Sequence, residues 1–244
     1  MLNAIRSIVF TILMFITAFI ASVLCLLTFW MPYEKRYPYL VAWPKFMVWL
    51  AKHLCGINYV VKGKENIPKD NAIIVCNHQS TWETLAFFAL FPHACFVLKH
   101  ELLMIPVFGW GLRLLEPIAI NRKNSTGALE QVIKQGTERL KQNRCIAIFA
   151  EGHRMPVGQL GKFKIGAAKL AIKTASPIIP VAHDAGKYWR RRGLIKKPGT
   201  ITVTIGTAIA PDGMNAAALT NSVRDVIAKS LRAELDYHVG QVSE

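Results

Sequence analysis

From Ser7 to Tyr33 the chain runs for 27 residues without a charged side chain. As a helix this stretch is about 40 Å long, more than the roughly 30 Å hydrocarbon core of a bilayer. It predicts a retained membrane-associating segment. A cleaved secretory signal is the competing reading, but the apolar run is long for one and no A-x-A-like site follows it. Val23 and Leu24 before Cys25 also argue against a lipoprotein signal, because they are not both small. Lys35 and Arg36 come next, and the positive-inside tendency then puts the rest of the chain on the cytoplasmic side. In a bacterium that means the inner face of the inner membrane. A second apolar piece, Tyr37 to Leu54, has Pro44 at a place suited to the first turn of a helix, and either lies in the interface or packs on the domain.

Composition supports a lipid partner. Thirty Lys and Arg face 15 Asp and Glu, a formal +15, yet 52% of the residues are hydrophobic. Nucleic-acid binders share the charge but not the greasiness, whereas each cation near an anionic membrane contributes about 1 kcal/mol of attraction. The five cysteines form no C-x-x-C pair and read as reduced thiols packed as small hydrophobes, which fits a cytoplasmic domain.

After Gly56 short β-rich runs alternate with helical patterns. Strand candidates are Ile57 to Val61, Ala72 to Cys76, Ala94 to Leu98, Pro117 to Ile120, Cys145 to Phe149, Pro177 to Val181 and Ile201 to Ile205. Leu129, Val132, Ile133 and Leu140 recur at helical spacing, and 163–173 and 216–235 also read as helices. The alternation predicts an α/β fold with a largely parallel or mixed sheet flanked by helices. Residues 1–56 then form the membrane-associating helical part and 57–244 one catalytic domain.

The sharpest signal follows the second strand: Asn77-His78-Gln79-Ser80-Thr81-Trp82-Glu83. In open α/β sheets, catalytic groups collect at the carboxyl ends of strands. On one continuous helix, His78 and Glu83 would lie about 140° apart. They meet only if the helix starts after His78, and Ser80-x-x-Glu83 is a capping box that supplies the start. Glu83 is then either a cap, or the group that fixes the imidazole tautomer so that the other ring nitrogen accepts a proton.

These residues resemble the glycerophospholipid acyltransferase family. Asn77-His78 with an acid five positions after the histidine is similar to its NHx4D motif. Lys99 to Gly111 resembles the stretch after that motif, and Ile118 to Arg122 resembles the second block. Phe149-Ala150-Glu151-Gly152-His153-Arg154 is similar to the third, FPEGTR, and Pro177 to Val181 to the fourth. The likeness covers roughly residues 57 to 210. Glu83 stands for the usual Asp, Ala150 for Pro and His153 for Thr.

The resemblance implies direct transfer of an acyl group from an acyl-CoA or acyl carrier protein thioester to the sn-2 hydroxyl of lysophosphatidic acid, giving phosphatidic acid. His78 would be the general base and Glu83 its partner. Arg122, Arg154 and Lys99 would contact phosphate, Glu151 would orient Arg154 or meet acceptor hydroxyls, and Gly152 belongs to the same block. No metal or bound cofactor is required, and the other histidines lack ligand spacing. The run Lys187 to Lys197 adds six cations without an acid, reading as a headgroup or CoA-phosphate contact or as a solvated basic loop. Two rivals remain: an acyltransferase for another lysolipid, such as a lyso-ornithine lipid, and a non-catalytic membrane-binding protein.

Overall fold

A computed structural model describes residues 1–122 and 125–235. Two N-terminal helices, α1 (Leu2–Leu26) and α2 (Tyr33–Cys55), form an antiparallel hairpin. The uncharged run is therefore not one helix. It breaks at a turn in which Thr28 and Met31 amides donate back to Cys25 and Thr28, and Pro32 stands at the start of α2. Trp43 Nε1 donates to Thr17 Oγ1 at 3.0 Å across the hairpin.

Pro38 and Pro44 lie inside α2, so Pro44 does not open a helix as its sequence context suggests. An internal proline costs about 3 kcal/mol. Burial of Val41, Met47, Val48 and Ala51 along the same helix offsets it, at roughly 1.5 kcal/mol or more for each large apolar side chain. Gly56 then ends the helix in the left-handed region, φ +68°, and its carbonyl accepts the Gly199 amide, which sets the register of the first strand.

Among the described residues seven strands follow: β1 (Ile57–Lys62), β2 (Ile73–Cys76), β3 (Cys95–Lys99), β4 (Ile118–Ile120), β5 (Ile146–Phe149), β6 (Ile178–His183) and β7 (Gly199–Ile205). Each sequence candidate becomes a strand, with ends moved by one or two residues. Their order in the sheet is β1-β7-β6-β2-β5-β3-β4. All pairs are parallel except β6 with β7. Only one 3-10 turn, Ala185–Lys187, lies between those two strands, and an antiparallel pair needs no crossover helix.

β2 is buried along its whole length, as befits a central strand with helices on both faces. Ile74 and Cys76 point into a core shared with α1, α2 and α3 (Trp82–Leu90). Ile73 and Val75 point into the opposite core with α5 (Ser125–Lys141), α6 (Gly166–Thr174) and α7 (Ala216–Leu235). The N-terminal hairpin thus shares its core with the sheet. The short α4 (Phe108–Arg113), which no helical periodicity announces, packs against α1, with Gly111 facing Ser22. α6 starts three residues later than its pattern suggests, because Lys164 first donates its amide to Ala150.

Candidate active site

β2 ends at Cys76, and the chain turns there under tight control. Asn77 is fully buried; its side chain donates to His183 O at 2.9 Å and accepts the His183 amide at 3.0 Å. His183 Nε2 donates to Asn77 O at 2.9 Å. Three hydrogen bonds thus tie the carboxyl ends of β2 and β6 together, and the next residue, His78, is aimed from a fixed base.

α3 begins at Trp82, and Ser80 Oγ accepts the Trp82 amide at 3.1 Å. Glu83 is wholly buried. Its Oε1 accepts the Ser80 amide at 2.6 Å, the Gln79 amide at 2.8 Å and His78 Nδ1 at 3.0 Å. One oxygen is therefore both cap and imidazole partner, and the two readings of Glu83 coincide. Burial works to raise the Glu83 carboxyl, but His183, His78 and the Ser80 amide outweigh it and hold it at about 2. The carboxylate is thus ionised across the neutral range.

Since Glu83 Oε1 can only accept, His78 Nδ1 carries the proton and Nε2 is left with a free lone pair. The ring stacks on Phe149, centroids 4.3 Å apart, and retains 14% exposure. Burial lowers the His78 pKa below its ordinary 6.5; Glu83 opposes this and Arg154 adds to it. The imidazole is accordingly neutral at pH 7, as a general base must be.

The third-block loop leaves β5 and hooks back to β2, through Ala150 N to Cys76 O at 3.1 Å and Met155 N to His78 O at 2.7 Å. The second link brings Arg154, one residue earlier, beside the imidazole. Among the described residues Glu151 makes no ion pair with Arg154, one of the two contacts expected of it. Its two oxygens accept the amides of His78 at 2.8 Å and Gly161 at 2.7 Å. Burial pushes this carboxyl up to about 7, against the two amides. Gly152 adopts φ +72°, and a Cβ there would meet Lys164 Cε at 3.0 Å. Arg122, two residues beyond β4, donates to the Gly152 carbonyl.

His78, Lys99, Arg122 and Arg154 all line one groove with a volume of about 410 Å³. Lys99 also pairs with Glu101 at 3.1 Å. Beyond the cations the walls turn largely apolar: Ala18 and Ala21 of α1 with the small Ser22 beside them, Leu40 and Trp43 of α2, Leu85 and Phe88 of α3, and Phe108 and Leu112 of α4. These wall residues escape sequence reasoning because only the docking of α1 and α4 makes them neighbours. His183 escapes it too; its one signal is its place just after the fourth block. Among the described residues no cluster of His, Cys, Asp and Glu could hold a metal ion.

A family model described as Acyltransferase matches residues 58–184. The chain is 44% identical over 219 residues to 1-acyl-sn-glycerol-3-phosphate acyltransferase of Pseudomonas aeruginosa, covering 89% of this chain and 85% of that protein. It is 33% identical over 195 residues to the protein of the same name from Borreliella burgdorferi, covering 77% and 75%. The crystal structure of the 1-acyl-sn-glycerophosphate acyltransferase of Thermotoga maritima superposes with a TM-score of 0.79 at 25% identity, over 99% of this chain and 98% of that one. The structural superposition takes in the N-terminal hairpin and the seven-stranded sheet, the family model takes in all four blocks, and the chain belongs to the acyltransferase family.

Proposed function

We propose that this protein is a 1-acylglycerol-3-phosphate O-acyltransferase that uses His78 as general base. The carrying observation is the neutral imidazole, held through Nδ1 by Glu83, at the rim of an apolar groove whose mouth bears Arg122 and Arg154. His78 Nε2 takes the proton of the acceptor's sn-2 hydroxyl as its oxygen attacks the thioester carbonyl. The C–S bond then breaks, and the departing thiolate of CoA or acyl carrier protein recovers a proton. Glu83 stabilises the imidazolium formed in between. Arg122 and Arg154, with Lys99 further out, receive the acceptor phosphate, for which planar guanidinium forks are suited. The apolar part of the groove receives an acyl chain. Glu151 and Gly152 position the loop that carries Arg154.

The test is acyl transfer by the purified full chain, with acyl-CoA and with acyl carrier protein as donor. Phosphatidic acid is the expected product, and no transfer to lysophosphatidic acid from either donor overturns the reading. Equal use of lyso-ornithine lipid would move the acceptor class. Arg154→Ala is expected to raise KM for lysophosphatidic acid about tenfold or more, the scale of one charge-assisted hydrogen bond. KM for an uncharged acceptor should change little, and an equal rise for both removes the phosphate role.

The rate is expected to rise with pH on the acid side, because only neutral His78 accepts a proton. With its pKa lowered, that limb has a midpoint below 6.5. Glu83, held at about 2, contributes nothing to it, whereas Glu151, near 7, overlaps it. Measuring kcat/KM against pH for Glu151→Gln separates the two, since the limb that survives belongs to His78.

α1 is long and apolar enough to cross a membrane by length and composition. Yet Ser7, Phe10, Thr17, Ser22 and Cys25 contact the rest of the protein along it, a span of about 27 Å at 1.5 Å per residue. Ile8, Ile12, Phe15, Phe19 and Val23 form the opposite, exposed stripe. A helix docked along its length suits one leaflet, lying with this stripe in the acyl region on the cytoplasmic side.

A further inference from the structure

The segment between β6 and β7 is a closed loop with a clamped stem and an open tip. Lys197 N donates to Tyr188 O at 2.8 Å and closes the neck. Trp189 is buried edge-on against Phe10 of α1, centroids 5.1 Å apart. Lys196 is buried as well; its amide donates to Ser7 Oγ at 2.9 Å and its ammonium to Thr11 Oγ1 at 2.6 Å. These contacts fasten the loop to the first half of α1. At the tip a tight turn, Gly193 N to Arg190 O at 3.0 Å, leads into Leu194 and Ile195.

Leu194 and Ile195 are 54% and 53% exposed, although neighbouring Trp189 and Lys196 are sealed in. Arg190, Arg191, Arg192 and Lys197 surround them and are exposed too. No acid occurs between Ala185 and Pro211. Two adjacent aliphatic side chains ringed by cations match the boundary between headgroups and acyl chains, where apolar burial and attraction to anionic lipid act together. A solvated basic loop has no use for the two exposed aliphatics. Arg191 Nη1 also donates to the Arg154 backbone carbonyl at 2.7 Å, so the same loop touches the groove mouth.

We propose that the loop from Tyr188 to Lys197 is a second membrane-docking element. Leu194 and Ile195 enter the bilayer surface beside α1, and the surrounding cations select anionic lipid. The inference rests on the one-leaflet reading of α1 and adds lipid selectivity to it. Contact at the tip holds Arg191, and through it the Arg154 backbone, at the surface from which the lysolipid arrives.

The experiment is flotation of the full-length protein with vesicles of phosphatidylcholine alone and of phosphatidylcholine containing one-quarter phosphatidylglycerol. Wild-type protein is expected to partition into both, with a preference of roughly twentyfold or more for the anionic vesicles if two cations act at the surface. Arg190→Ser with Arg192→Ser should lower that preference by roughly tenfold or more, while binding to phosphatidylcholine persists through α1. Leu194→Ser with Ile195→Ser should weaken binding to both vesicle types. Both double variants should retain acyl transfer in detergent micelles, which also reports that they fold. Variants that float like wild type overturn the proposal while leaving the α1 reading intact. Wild-type protein that floats with neither vesicle removes both. A raised KM for acyl-CoA with unchanged flotation would assign the cations to the donor and overturn it as well.

Discussion

His78→Ala is expected to lower kcat by roughly 10² to 10⁴-fold, the usual contribution of a positioned general base. The measurement is turnover of lysophosphatidic acid by protein whose melting temperature is followed alongside. Stability should change little, because among the described residues the ring's one hydrogen bond is to Glu83 and its stacking on Phe149 is near the groove rather than in a closed core. KM should also change little, since the lipid phosphate is held by the arginines and the chain by the apolar wall. Near wild-type turnover would remove the assigned base, whatever the state of the fold.

Glu83→Ala should damage both activity and stability. Its Oε1 is the acceptor for two backbone amides and one ring nitrogen, all converging in a buried site. Each donor left unsatisfied costs about 1 to 3 kcal/mol, though water entering the cavity recovers part of it. A net loss of about 3 kcal/mol lowers Tm by roughly 6 to 12 °C in a chain of this size. Glu83→Gln separates the causes: its oxygen still accepts the three donors while the negative charge is gone. It should restore most of the Tm, yet leave kcat about 10 to 10²-fold low, since the imidazolium loses its ionic partner. Full activity in the glutamine variant would mean that Glu83 serves the fold alone.

Much of this architecture is legible in sequence because it rests on local pattern. The strands are short apolar runs between turn residues, and the ends of each run mark the ends of a strand within a residue or two. The meeting of His78 with Glu83 is legible for a subtler reason. Five residues is the wrong spacing for a helix, so a helix start had to fall between them, and Ser80 is the only capping residue placed to form a box with Glu83. What stays hidden depends on distant chain segments. Asn77 stands in a recognisable motif, but its partner His183 is 106 residues away and nothing in the sequence links the two. Glu151 sits in a recognisable block, but its partners are backbone amides, and amides leave no mark in a sequence. The turn after Leu26 is hidden because the uncharged run continues straight through it; hydropathy alone does not record where a helix reverses.

α1 turns one side to the surroundings and the other to the groove, where Ala18, Ala21 and Ser22 leave room that larger side chains would fill. Under the proposed function, one wall of the space open to a fatty tail is thus built by an element that carries none of the reacting groups. If α1 bounds the tail in this way, tail fit and acyl transfer would rest on separate parts of the polypeptide.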